Sequence, residues 1–454
     1  MSVVASVERA LREAVAAEVV PPSAQYLADE TETRGLNGHA DAVALPRTAD
    51  EVAEIVGWCY EHEVPVVPRG GGTGYAAGAV PLDGGVVVAL ERLTRVRSFE
   101  PTLWRMEAEA GVTTADVRRR AREGGLLFPP DPGGAEQSQI GGNVATNAGG
   151  PHAYKYGVTK AWVTGVEAVV APGELVRFGG PLRKDVAGYD LTALMVGSEG
   201  TLGVITSVWL RLTPAPEAAW PVVAFFDGVE AGCEAILRVV GTGLPAAAIE
   251  YLDENTMRLA GAGFPEEIPP GTFCLLTEAD GSHDEAARVR EDLIEVLGED
   301  ARTVHAPDSA EEIAALWRWR EGVTLRVQAH RGGKVSEDIA VPLERLAEAI
   351  QGSLAIGARL GLPAASWGHA GDGNLHTTYL IDREAVDERR TAAVASDELF
   401  ELALQLGGTI SGEHGVGALK RAWLERRLGP KAAELHAAVK HAFDPQNLLN
   451  PGKK

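Results

Sequence analysis

The chain has 454 residues, 45% hydrophobic and 23% charged, a balance that fits a globular enzyme of two or three domains. Lys and Arg number 42 against 64 Asp and Glu, a formal charge of −22, which excludes a nucleic-acid partner because no basic track follows a phosphate backbone. The three cysteines, Cys59, Cys233 and Cys274, are too scattered for a metal or redox motif and predict a reducing compartment rather than a disulfide scaffold.

Residues 1–20 predict an amphipathic helix, because Glu8, Arg9, Arg12 and Glu13 interrupt the apolar run that a signal peptide needs. No apolar run is long enough to cross a bilayer, so the expectation is a cytoplasmic protein without a transmembrane segment. Residues 48–62 predict a helix, with Thr48 and Glu51 as a capping box and Val52, Ile55, Val56 and Cys59 on one face. A strand at 64–68 then runs into Arg69-Gly70-Gly71-Gly72-Thr73-Gly74. So many glycines cost backbone entropy, and the return is a loop whose N–H groups can approach a pyrophosphate, with Arg69 to pair with it. This is not a Rossmann turn, because residues 75–82 contain Pro81 and predict a loop where a helix is needed. Nor is it a P-loop, which needs Gly-Lys-Ser/Thr.

Strands at 84–90 and 105–110, and a helix capped by Thr113 or Thr114, continue a mixed α/β pattern. A second glycine-rich stretch, IGGNVATNAGG at 140–150, offers small residues against which a flat ring can lie. Its Asn143, Thr146 and Asn147 can address a ring's polar edge. Residues 163–178 predict a hairpin turning at Pro172-Gly173. In the third glycine stretch, 195–206, Glu199 can accept from an adenine or ribose group. TPAP at 213–216 reads as a linker and sets the first domain boundary.

Beyond it, strands at 222–226, 247–252, 273–278 and 338–341 alternate with helices at 229–240, 284–297 and 343–360, which predicts an antiparallel sheet covered by helices on one face. In WGHAGDGNLH, 367–376, Asp372-Gly373 signals a type I′ hairpin. That turn sets His369 opposite His376, close enough to share a divalent metal. In SGEHGVG, 411–417, Glu413 is a candidate third ligand and His414 a candidate base. On one helix, Arg320 and Thr324 share a face one turn apart, and Arg320 can clamp a carboxylate, with Lys334 as a second cation. Residues 443–454 predict a turn-rich tail.

Together these segments resemble the flavin-dependent 2-hydroxyacid dehydrogenase family of the vanillyl-alcohol oxidase superfamily. Its members include D-lactate and D-2-hydroxyglutarate dehydrogenases and the flavin subunit of glycolate oxidase. PRGGGTG, IGGNVATNAGG, GSEGTLGVIT, GHAGDGNLH and GEHGVG occur in the family's order, and the resemblance runs from about residue 48 to Asn450-Pro451-Gly452. It implies an α+β fold. A two-subdomain FAD-binding domain of the vanillyl-alcohol oxidase (PCMH) type would span 1–216, with its core at about 40–216. A cap domain with an antiparallel sheet and covering helices would span 217–420, and a C-terminal segment, 421–454, would return to the flavin.

For FAD, the resemblance implies Arg69, Gly70, Gly71, Gly72, Thr73, Gly74 and Gly78 in the first stretch, and Asp131 after it. It then implies Gly141, Gly142, Asn143, Thr146, Asn147, Gly149 and Gly150, followed by Glu199, Gly203 and Ile205, and finally Asn450. It implies a divalent metal, zinc or a similar ion, on His369, His376 and Glu413. His414 would be the base, with Arg320, Thr324 and Lys334 about the substrate. Thr73 stands where covalent-flavin relatives carry a histidine, so the FAD is expected to be non-covalent. Tyr75-Ala76 replaces the Leu-Ser of many relatives and changes the lining nearby. Ser336 stands where hydroxyglutarate-type enzymes carry a lysine, and Lys334 lies further back, so no dicarboxylate preference is implied.

The expected activity is oxidation of a D-2-hydroxy acid, of the lactate, glycolate or 2-hydroxyglutarate class, by hydride transfer to FAD with metal assistance. The expected acceptor is a quinone, an electron-transfer flavoprotein or a cytochrome. A homodimer or accessory subunits are compatible with the sequence. Three alternatives stay open: an FAD-binding subunit of a glycolate oxidase-type complex, a non-redox flavoenzyme such as an alkyldihydroxyacetonephosphate synthase, and a metal-dependent hydrolase using His369, His376 and Glu413.

Overall fold

The computed structural model describes residues 3–454, apart from the side chains of 3–6 and 32–33. The chain divides into two compact units. One comprises the residues up to Gly149, Val158–Ala215 and Glu413–Lys454, and the other Gly150–Gly157 and Pro216–Gly412. No helix among the described residues is long and apolar enough to cross a membrane.

The first unit holds two sheets. Strands β1 (Glu18–Val20), β2 (Ala42–Leu45), β3 (Val66–Arg69) and β4 (Val86–Ala89) form a four-stranded sheet in the order β1-β2-β4-β3. Its β2, β4 and β3 are parallel, and all four residues of β2 and of β4 are buried, as a parallel strand between covered faces requires. The helix Ala49–Glu61 forms where the sequence predicts, with Thr48 Oγ1 accepting from the Glu51 amide at 3.2 Å. The return arm of the capping box shifts by one residue, since the Glu51 carboxylate accepts from the Arg47 amide at 2.6 Å.

Strands β5 (Val96–Glu100), β6 (Arg105–Glu109), β8 (Val163–Val170), β9 (Glu174–Gly179) and β10 (Val204–Arg211) make a second, antiparallel sheet in the order β5-β6-β10-β8-β9. A two-residue pair, β7 (Leu126–Leu127) with β11 (Thr213–Pro214), lies at the linker. One stretch that reads as a glycine loop folds differently: Ile140–Thr146 is a helix. Gly141 belongs there because a Cβ would lie 2.6 Å from that of Ala110, so only glycine allows this approach.

The second unit is built on a seven-stranded antiparallel sheet: β12 (Ala218–Phe226), β13 (Ala248–Leu252), β14 (Phe273–Gly281), β15 (Thr303–His305), β16 (Gly332–Ala340), β17 (Ala364–His369) and β18 (Asn374–Asp382). Their order is β15-β12-β14-β13-β17-β18-β16. The helices Gly228–Thr242, His283–Gly298, Leu346–Arg359 and Val386–Gln405 pack on this sheet. His283–Gly298 starts on a full capping box between Ser282 and Glu285.

The expectation of one covered face needs correction. Val223, Phe225, Leu252, Cys274, Leu276 and Trp367 form a core with Met257, Leu316, Trp319, Val323 and Val327 from the shorter helices Glu254–Ala260, Ala310–Glu321 and Val323–Ala329. The period-2 register puts those strand residues on a single face, opposite the one carrying Val335, Tyr379 and Ile381, which pack with Ala392 and Ala395 of the helix Val386–Gln405. Trp319 is anchored by its Nε1–H to the Ala260 carbonyl at 2.9 Å, which lets a large amphipathic ring be wholly buried.

Candidate active site

In the first unit the chain following β3 makes the glycine loop. Gly72 has φ +71°, and a Cβ there would fall 2.1 Å from Arg69 Nη2, so the arginine lies tucked against the loop it precedes. Arg69 Nη2 donates to the Gln25 carbonyl at 2.5 Å. Burial lowers the guanidinium's pKa, with Asp29 working against this. A Cβ on Gly71 would lie 2.1 Å from the Gln137 carbonyl oxygen. Protein packing thus accounts for Gly71, Gly72 and Gly141.

Gly78 and Gly142 are different, because a Cβ on either would meet nothing within 4 Å. Beside these loops, Arg69 Nη1, Gln139 Oε1, Ser198 Oγ and Asn450 Oδ1 are buried without a hydrogen-bond partner among the described residues. Leaving a buried polar group unmade costs about 1–3 kcal/mol, so a polar ligand fits this cradle.

The side chains expected to address that ligand also build the loops. Asn143 Nδ2 donates to Thr114 Oγ1 at 2.5 Å, Thr146 Oγ1 to the Gly142 carbonyl at 3.1 Å, and the Lys160 amide to Asn147 Oδ1 at 2.8 Å. Glu199 is spent in a way the sequence does not show. Its buried carboxylate accepts from the Val416 amide at 2.9 Å and the Gly417 amide at 2.6 Å, so it holds the GEHGVG turn. Asn450 donates through Nδ2 to the Gly78 carbonyl at 2.9 Å and the Glu199 carbonyl at 2.7 Å, which ties the C-terminal turn to two glycine stretches. In the turn so held, the His414 ring stacks on Tyr75, with centroids 4.7 Å apart. Asp131 is half-buried in the preceding loop, Gly203 precedes β10, and Ile205 is buried in it. A Cβ on Gly149 would lie 2.5 Å from Glu413 Oε2.

In the second unit the histidine hairpin differs from its expected register. Trp367, not His369, faces His376, because the turn is a 3-10 segment, Ala370–Asp372, closed by Gly373 in the left-handed region. The slip is two residues, so side-chain parity is kept and both histidines stay on one face. Their rings meet edge to face with centroids 5.2 Å apart. Candidate ligand atoms of His369 and His376 lie within 4.8 Å of each other, as do those of His376 and Asp338, its cross-strand partner. The pair therefore fits a divalent metal.

Asp338 also organises its surroundings. Oδ1 accepts from Asn374 Nδ2 at 2.7 Å, and Oδ2 accepts from Ser411 Oγ at 2.7 Å and the Gly412 amide at 3.0 Å. Lys334 and Ser336 stand on the same face of β16, both engaged, with Ser336 Oγ 2.7 Å from Thr378 Oγ1.

The residue that sequence reasoning missed is Glu250. It is fully buried on β13, opposite His369. Oε1 lies 2.5 Å from His369 Nδ1, and Oε2 accepts from Arg320 Nη2 at 2.5 Å. Burial works to raise its pKa, but the His369 ring and the Arg320 guanidinium outweigh this and hold the carboxyl below its usual range. An acid inside the apolar strand AIEYL is the one signal that marks it. Arg320 and Thr324 do not share one helix: Ala310–Glu321 ends at Gly322 and a second helix, Val323–Ala329, starts there. Residues 150–157 are a further surprise, since His152 meets Glu278 at 2.8 Å and Tyr156 donates to Asp280 at 2.5 Å, docking the octapeptide on the second unit.

Comparison with known proteins decides what this frame is. The profile of the FAD-binding domain matches residues 40–179, and that of the C-terminal domain of FAD-linked oxidases matches residues 215–454. The chain belongs to the FAD-linked oxidase family. It is similar to a Bacillus subtilis protein named glycolate oxidase subunit GlcD, with 38% identity over 91% of this chain and 88% of that one. It is also similar to a D-lactate dehydrogenase of Anaerostipes hadrus, with 34% identity over 89% of this chain and 87% of that one. Among solved structures, p-cresol methylhydroxylase shares the fold, with a TM-score of 0.80 at 17% identity over 99% of this chain and 96% of that one. As an FAD-linked oxidase the chain is a flavin-dependent oxidoreductase.

Proposed function

We propose that this FAD-linked oxidase converts a D-2-hydroxy acid of the lactate or glycolate class to the 2-oxo acid, passing its electrons to an external acceptor. The observation that carries this reading is the buried face of the second unit, where Glu250 joins the metal-fitting His369 to Arg320. A hydroxy acid presents one hydroxyl and one carboxylate, and this face offers a histidine pair that fits a Lewis-acid metal and a guanidinium for them. The names of the Bacillus and Anaerostipes relatives support the same substrate class.

Bound FAD supplies the two-electron acceptor, and a metal on His369 and His376 supplies a Lewis acid. Glu413 is the third ligand in this reading, on the strength of its place in GEHGVG. Arg320 holds the substrate carboxylate in a charge-assisted pair. His414 takes the hydroxyl proton on a ring nitrogen, while the α-hydrogen leaves with its electron pair, so one proton and one hydride account for the oxidation. Thr324 and Lys334 line the carboxylate side. Ser336, already engaged with Thr378, adds no charge there, which favours a monocarboxylate.

Removing the metal tests the reading. Dialysis against a strong chelator is expected to leave the visible flavin band intact and to slow flavin reduction by D-lactate at least ~100-fold, with added zinc restoring it. An unchanged rate in zinc-free protein contradicts the metal assignment.

A further inference from the structure

We propose that Glu250 is a positioning residue that couples the metal ligand His369 to the carboxylate clamp Arg320, an inference that rests on the metal-assisted reading above. Three observations carry it. Glu250 has no solvent exposure, and its two carboxylate oxygens serve two different partners, His369 Nδ1 and Arg320 Nη2, each at 2.5 Å. Its backbone stands in register with His369 on the adjacent strand, so the rigid sheet sets the carboxylate's place. Arg320 comes from the end of a separate helix, Ala310–Glu321, and is itself nearly buried.

The chemistry follows from the geometry. A carboxylate on Nδ1 accepts that nitrogen's proton and leaves Nε2 as the lone-pair nitrogen that can take a metal, fixing tautomer and ring angle together. The second oxygen holds one arm of the guanidinium. The remaining donors are then aimed by the same anion, and Arg320 Nε is buried without a protein partner among the described residues. Metal site and carboxylate clamp are therefore held at a fixed separation by one side chain, as the adjacent hydroxyl and carboxylate of a 2-hydroxy acid require.

The test is zinc affinity of the FAD-loaded protein, measured by competition with a chromogenic chelator in wild type, Glu250→Gln, Glu250→Asp and Arg320→Met. Glu250→Gln keeps the shape but loses the charge, and it is expected to weaken zinc binding ~10–100-fold while flavin content holds, with a raised KM for D-lactate. Glu250→Asp draws the carboxylate back by one methylene and is expected to fall between the two. Arg320→Met touches no metal ligand, yet it frees one side of Glu250 and is expected to weaken zinc measurably. This third variant decides the matter if neither Glu250 variant folds. Unchanged zinc affinity in the variants, with only thermal stability lowered, overturns the positioning role. A wild-type protein that binds no zinc or other divalent ion fails the metal reading itself, a result separate from the variant comparison.

Discussion

His414→Ala is expected to leave the protein yellow while slowing flavin reduction by a D-2-hydroxy acid by ~10²–10⁴-fold, the usual worth of a positioned general base. The structure explains why the two effects should separate. The turn carrying His414 has backbone anchors that do not involve the imidazole. It is held by the Val416 and Gly417 amides on Glu199, and Glu199 is in turn held through its carbonyl by Asn450. Losing the ring removes its stack on Tyr75 and leaves those bonds in place. Stopped-flow reduction under anaerobic conditions reads the rate, and the visible band reads the cofactor. A variant that reduces at the wild-type rate removes His414 from the chemistry, and a colourless variant gives it a structural role instead.

Gly142→Leu is expected to give a folded protein that holds FAD at least ~10-fold more weakly, because a bulky side chain would fill open space beside a stretch that the family resemblance assigns to the flavin. A Cβ there meets no protein atom within 4 Å, and the position lies in the first turn of the helix Ile140–Thr146, where leucine is a better helix former than glycine by ~0.8 kcal/mol. The apoprotein should therefore melt no lower than wild-type apoprotein. Gly71→Ala makes the contrast, since its Cβ would strike the Gln137 carbonyl and destabilise the fold itself by ~1–3 kcal/mol. Flavin titration and thermal melts of both apoproteins distinguish ligand space from protein packing. Undiminished FAD affinity in Gly142→Leu would move the cofactor away from this helix.

Local signals were the readable part of this sequence. Thr48 with Val52, Ile55, Val56 and Cys59 announces a helix because cap and periodicity agree. The short helix Ile140–Thr146 is hidden because its glycines argue against it locally, and close approach to Ala110 is what makes Gly141 fit. The histidine hairpin was legible as two histidines on one face but not in register: Asp-Gly suggests a two-residue turn, whereas Ala370–Asp372 winds into a 3-10 segment.

Glu250 and Glu199 were illegible for a different reason. A lone acid in AIEYL or GSEGT says nothing of the partners that long-range packing brings, here His369 and Arg320 for one and the Val416–Gly417 backbone for the other. The same holds for residues 150–157, which leave the first unit's sequence to dock on Glu278 and Asp280 of the second.

The most direct measurement is anaerobic bleaching of the bound flavin by a panel of D- and L-2-hydroxy acids. Rapid bleaching by D-lactate or glycolate, slow bleaching by L-lactate, and one 2-oxo acid formed per flavin reduced is the predicted result. A flavin that stays oxidised with every hydroxy acid in the panel, in protein replete with zinc, contradicts the account.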